Sequence, residues 1–127
     1  MTYFFDNNLS IKIVQILKIL DVDAIHLTEQ YAPGTLDMEW IPGVGKKGYV
    51  IITLDGRIAT RPPERKVLRQ ARVTSVFIYG KFPGKRIWEQ VMWILKHWDK
   101  IECAVASADR GTILRIDGRG TIKRSLA

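Results

Sequence analysis

Tyr49-Val-Ile-Ile-Thr-Leu-Asp55 is apolar or β-branched at nearly every position and ends on a carboxylate. A run with no polar face to offer water predicts a strand buried on both sides, as in a parallel sheet covered by helices. The flanking segments repeat the theme. Tyr3-Phe-Phe5 is a short buried strand stopped by Asp6-Asn7-Asn8, Ala24–Leu27 is a second strand, and Val73–Tyr79 is a fourth. Between the first two, Leu9, Ile13, Ile16, Leu17 and Leu20 recur at helical spacing, with Asn8 or Ser10 as N-cap. Acids in the segment Thr35–Trp40 open a helix whose body Pro42, Gly43 and Gly45 leave undecided, and Pro62-Pro63 opens another that runs to about Ala71. A helix from near Gly84 carries Ile87, Val91, Ile94, Leu95, Trp98 and Ile101 on one stripe, and Thr112–Ile116 with Thr121–Lys123 frames a hairpin around Asp117-Gly-Arg-Gly120.

Strands alternating with helices at this spacing predict right-handed βαβ units and a doubly wound α/β domain. With 127 residues, 46% of them hydrophobic, the chain is sized for a single domain over 1–127. Cys103 lies in the apolar stretch Ile101–Ala106, where it is expected to fill core space; a lone cysteine fits a reducing compartment. The amino terminus lacks the basic flank of a secretory signal, and no run is apolar for a full membrane span. The expectation is a cytoplasmic protein without a membrane partner.

Charge is unevenly spread. Residues 1–56 hold 7 acidic and 4 basic side chains, whereas residues 57–127 hold 6 and 16, so the halves carry −3 and +10. A positive half on a small domain is the electrostatic footprint of a polyanion partner, RNA or DNA first among them. The acids have a place of their own. In doubly wound folds ligands bind beyond the carboxyl ends of the strands. Asp6 and Asp55 end strands there, and Asp37 and Glu39 lie in the loop-to-helix segment between. Each could instead cap a helix. Together they form an oxygen-only donor set, which selects Mg²⁺ or Mn²⁺ over zinc and suits phosphodiester hydrolysis. Two glycine patterns do not change this reading. Gly43-x-Gly45-x-x-Gly48 precedes a strand where a dinucleotide fingerprint follows one, and Gly80–Arg86 lacks the spacing and hydroxyl of a P-loop. The latter segment still offers Lys85 to an RNA phosphate, or is a plain turn. His26 reads as a hydrogen-bonded core histidine.

Phe4-Phe-Asp-Asn-Asn-Leu9, the D-x-E-W of Asp37–Trp40, and Val50–Ile58 together resemble the PIN-like domain family, and within it the small prokaryotic branch that includes VapC-type toxin ribonucleases. The resemblance covers about the first eighty residues. It implies a Rossmann-like fold with a mostly parallel sheet of order 3-2-1-4-5 and metal-dependent RNA cleavage, with Asp6, Asp37 and Asp55 as catalytic and metal-binding acids. Two departures stand out: Asn7 replaces a common glutamate after the first aspartate, and the next acid after Asp55 is Glu64, set among basic residues.

The resulting expectation is a Mg²⁺-dependent (or Mn²⁺-dependent) endoribonuclease, the toxin of a type II toxin–antitoxin pair, with RNA and a cognate antitoxin as partners and a homodimer as one possible assembly. Asp6, Asp37 and Asp55 hold the metal, and either Asp37 or Glu39 supplies the helix ligand. Asn8 and Thr53 orient the cluster, and Arg57, Arg61 and Lys85 bind phosphate. The rival from another class is a catalytically inactive PIN-like module that binds nucleic acid or a partner.

Overall fold

Tyr3–Phe5 (β1) alternates its side chains across the sheet, so that Tyr3 and Phe5 enter one core and Phe4 the other. A computed structural model describes residues 1–82 and 85–126 of the chain. Its elements follow in the order β1, α1 (Ile11–Ile19), β2 (Ala24–His26), α2 (Asp37–Lys46), β3 (Val50–Thr53), α3 (Arg57–Thr60), α4 (Pro62–Ala71), β4 (Ser75–Ile78), α5 (Ile87–Ser107), β5 (Thr112–Ile116) and β6 (Ile122–Leu126). The six strands form one sheet of order β2-β1-β3-β4-β5-β6, parallel except for the β5–β6 hairpin. Helices α1 and α5 cover one face, over Tyr3, Phe5, Ile52, Val76 and Leu114, while α2, α3 and α4 cover the other, over Phe4, Ile51, Phe77 and Ile113. Among the described residues no helix is long and apolar enough to cross a membrane.

The α/β class and the terminal hairpin are as expected; the strand order is not. An order of 3-2-1-4-5 needs two strands outside β1 before the chain crosses back, and only β2 is there. The chain between β2 and β3 spends its length on α2 instead, and β3, buried at all four positions, takes a central place beside β1. This placement matters for the site. The helix that follows β1 lies on one face and those that follow β3 on the other, so a crevice opens between the carboxyl ends of two neighbouring strands.

Several local readings are resolved or corrected. Helix α2 runs through Pro42 and both glycines, because glycine at 45 lets it approach α4: a Cβ there would stand 2.8 Å from the Ala71 carbonyl oxygen. Ser10, not Asn8, caps α1, its side chain accepting from the Lys12 amide. The expected start of the long helix at Gly84 lies outside the described residues; α5 is described from Ile87 and continues to Ser107. Cys103 is exposed on α5, because the buried stripe there runs through Trp98, Ile101, Ala104 and Val105 and passes it by. Ile87 and Leu95 also stand outside that stripe, exposed.

Candidate active site

Asp6 follows β1 directly. Its amide still bonds the Ile52 carbonyl of β3, which holds the residue at the crevice, and it is only 7% exposed. A buried carboxylate needs donors. Oδ1 accepts from the Asn7 amide at 2.7 Å; Oδ2 accepts from the Thr53 hydroxyl at 2.8 Å and, at 3.4 Å, from the Asn8 side chain. Thr53 is saturated in turn, since its oxygen accepts from Asn8 Nδ2 at 3.1 Å and from the Asp55 amide at 3.0 Å. Asn8 Oδ1 accepts from the Leu54 amide. One network thus ties the end of β1 to the end of β3. Despite these bonds, burial pushes the Asp6 carboxyl above the ordinary aspartate range, with the neighbouring charge of Asp55 adding to it.

Asp37 is the first residue of α2, where the helix dipole favours a negative charge. The indole of Trp40, itself fully buried, donates to its Oδ1 at 3.2 Å. Its carboxyl is also raised, by burial first and then by the charges of Asp6, Asp55 and Glu64. The three expected aspartates therefore lie within electrostatic reach of one another. Asp55 differs in environment: Arg57 donates Nε to Oδ1 at 2.7 Å and Nη2 to Oδ2 at 2.8 Å, and this pairing holds the carboxyl below its usual value. Arg57, expected to grip phosphate, pairs with both oxygens of Asp55.

Glu39 is not brought to the cluster. Two residues from Asp37 it points about 200° round the helix, stands exposed, and is absent from the charges that act on Asp6, Asp37 and Asp55. Arg61 does reach, lowering the Asp55 carboxyl. Lys85 lies by the start of α5, its carbonyl accepting from Gln90, and acts on none of the acids. An open recess of about 420 Å³ lined by Asn8, Leu54, Asp55, Arg57 and Gln90 joins the acids to that end of α5. A smaller hollow of about 190 Å³ lies at the opposite edge of the sheet and is lined by no acid.

Glu64 is the residue that the sequence reading passed over. It lies on the inward flank of α4 with Val67, Leu68 and Ala71, its charge raises Asp37, and its Oε2 is buried without a hydrogen-bond partner. The signal was available: Pro62-Pro63 fixes the helix start, and Glu64, Val67, Leu68 and Ala71 are spaced as one face. Its basic neighbours Arg65 and Lys66 belong to the outer face.

His26 ends β2 beside Phe5. Thr28 donates its amide to Nδ1, so the proton sits on Nε2, which bonds the Leu9 carbonyl at 2.7 Å and pins the far end of the Asp6–Leu9 turn. It is a structural histidine, as its apolar neighbours suggested.

The donor set is all oxygen, it includes an orphaned carboxylate oxygen, and two of its acids are raised by burial and by the charge of neighbouring carboxylates. In kind, this suits a hard divalent cation. As the side chains stand, however, no three described Asp, Glu, His or Cys groups are close enough to enclose an ion. Both oxygens of Asp55 are taken by Arg57.

A doubly wound sheet that gathers Asp6, Asp37, Asp55 and Glu64 from four segments to its switch point defines an α/β domain with an acidic carboxyl edge. A family model described as PIN like domain matches residues 1–80, β1 through β4, and the chain belongs to that PIN-like domain family, whose domains are in general nucleases. No curated protein and no solved structure matches the chain.

Proposed function

We propose that this protein is a metal-dependent endoribonuclease in which Asp6, Asp37 and Asp55 hold Mg²⁺ or Mn²⁺ and Glu64 completes the acidic mouth. The observation that carries the reading is the unrelieved negative charge at the crevice: Asp6 and Asp37 are both raised, by burial first and then by neighbouring carboxylates, and Glu64 keeps an unpartnered oxygen, on a chain of net charge +7. A divalent cation bound there supplies Lewis-acid stabilisation of the phosphoryl group and lowers the pKa of attacking water. The chain's own residues supply the rest. Thr53 and Asn8 fix the rotamer of Asp6, Trp40 fixes Asp37, and Arg61 presents positive charge to the scissile phosphate from the start of α4. The extended proposal places the protein in the cytoplasm as a VapC-type toxin neutralised by an antitoxin, working as a monomer or homodimer. The test is cleavage of labelled single-stranded RNA by purified protein with Mg²⁺ or Mn²⁺; EDTA-sensitive cleavage that survives Asp6→Asn refutes the assignment.

A second reading, a binding module without catalysis, has one observation in its favour: Arg57 occupies both oxygens of Asp55. RNA binding that ignores Mg²⁺, with no cleavage, selects it.

A further inference from the structure

Beyond the acids, the same face of the sheet continues as a basic and aromatic surface, whose Tyr79 lies at the end of the segment that the family model matches and whose Arg115 and Lys123 lie beyond it. The strand register defines it. Thr53 pairs with Phe77, Phe77 with Arg115, and Arg115 with Lys123, so the four occupy one rung across β3, β4, β5 and β6. Residues on one rung share a face, and Phe77 fixes which: the face covered by α2, α3 and α4. At strand spacing, Arg115 stands roughly 10 Å and Lys123 roughly 14 Å from Thr53, the residue that holds Asp6. Lys123 is exposed and Arg115 half-buried.

Tyr79 lies one residue beyond β4, its amide still bonded to the Ile116 carbonyl, which keeps it in the ladder. Alternation puts it on the face of Phe77, and it is 41% exposed. An aromatic ring at the sheet edge therefore stands between the acidic mouth and two cations. The α4 side adds charge. Its Val67, Gln70 and Ala71 flank faces α2, which leaves Arg61, Arg65 and Arg69, spaced four apart, on the flank turned away from α2.

We propose that Tyr79, Arg115 and Lys123 form a subsite for the flank of a single-stranded nucleic acid: Tyr79 stacks on a base, and Arg115 and Lys123 hold phosphates leading away from the acidic mouth. Positive charge interleaved with an exposed ring is what a single strand needs, because its bases are free to stack and its phosphates are close to them. A duplex keeps its base faces covered. The subsite rests on the nuclease reading for its substrate, but its residues are different ones.

The test is fluorescence anisotropy of a labelled oligoadenylate RNA in EDTA, so that binding is read without cleavage. Tyr79→Ala is expected to weaken binding about tenfold and Tyr79→Phe to restore it. Arg115→Gln and Lys123→Gln each weaken it severalfold and reduce the salt slope by about 0.7, one phosphate contact on a single strand. Arg124→Gln is the control. It removes the same charge from the next residue, but Arg124 lies on the opposite face and bonds Ser107 of α5. Equal effects of Lys123→Gln and Arg124→Gln, full binding by Tyr79→Ala, or duplex RNA bound as tightly as single strand overturns the subsite. Should Arg61→Gln weaken binding while these variants do not, the subsite falls and the nuclease reading stands. No RNA binding by the wild-type protein overturns both.

Discussion

Asp6→Asn separates the chemical role of the crevice from its structural one, because the two roles predict opposite signs. In the folded protein Asp6 accepts from Asn7, Thr53 and Asn8. An asparagine oxygen in the Oδ1 position keeps the Asn7 bond, but its amide then faces a hydroxyl that already accepts from Asn8 and Asp55 and loses its own acceptor. That loss costs about 1 kcal/mol. Against it stands a charge in a nearly buried site, repelled by Asp55 and lacking any directly paired cation, where an uncompensated ion costs several kcal/mol. The balance favours the variant at pH 7 by about 1–2 kcal/mol, or roughly 4–8 °C in Tm for a domain of this size. The pH dependence has a definite sign. The native Asp6 carboxyl binds its proton more tightly than the unfolded chain does, so wild-type stability falls as pH rises from the ordinary aspartate value through the raised native value, and stays low above it. Asp6→Asn removes that part of the decline. With Mn²⁺ the order reverses: saturating metal stabilises the wild type by about 2.7 kcal/mol at a hundred times Kd, the variant gains little, and cleavage drops on the order of 10³-fold. Thermal melts from pH 4 to 8, with and without Mn²⁺, read all of this. An Asp6→Asn protein that melts below wild type at pH 7 in EDTA, or an equal Mn²⁺ shift in both proteins, refutes the reasoning.

Three further variants probe the neighbours. Arg57→Ala releases both oxygens of Asp55, so Mn²⁺ binding followed by electron paramagnetic resonance is expected to tighten roughly two- to fivefold, the exposed pairing being weak in water; unchanged or weaker binding shows that Arg57 does not compete with the metal. Glu64→Gln takes away a charge that raises Asp37, so the Asp37 carboxyl titrates lower by carbon NMR and Mn²⁺ affinity falls on the order of tenfold; an unmoved Asp37 titration means that Glu64 faces elsewhere. His26→Ala deletes the bond to the Leu9 carbonyl and leaves a gap beside β1, costing about 2–3 kcal/mol in urea denaturation; a loss below ~0.5 kcal/mol shows that the turn holds without it.

What could be read from the sequence follows from periodicity. The strands Tyr3–Phe5 and Val50–Thr53 and the helix opened by Pro62 fall where apolar pattern and proline chemistry put them. Strand order was not legible, since adjacency in a sheet is a long-range contact and local pattern carries no trace of it. The same limit hid the Arg57–Asp55 clamp: a cation two residues from an acid at a strand end fits a phosphate grip and an ion pair equally well. Glu39 was readable as a helix acid but not as an outward one until Trp40 and Ile41 fixed which side of α2 is buried. Glu64 was the reverse case, legible on a helical wheel and obscured by the charge of its neighbours.

The electrostatic arrangement of the whole chain gives the acidic mouth its meaning. The second half holds 16 basic side chains, enough to neutralise every carboxylate in the crevice, yet the salt bridges among the described residues place a single one, Arg57, on any of these acids. Arg61 influences Asp55 without contact, and Arg65, Lys66 and Arg69 are turned to solvent on α4. A fold selected for stability alone would pair those charges or replace the acids with apolar groups, since unpaired buried carboxylates oppose folding. Violations of that kind collect at functional sites. The paired acid is also the informative one. Because Arg57 sits on Asp55 with its side chain 63% exposed, it can leave for water, or for a phosphate, when a cation takes its place on the carboxylate. On the proposed metal-dependent reading, the clamp on Asp55 and the expected grip on phosphate would be two states of one residue, exchanged on metal binding, which is what Arg57→Ala tests.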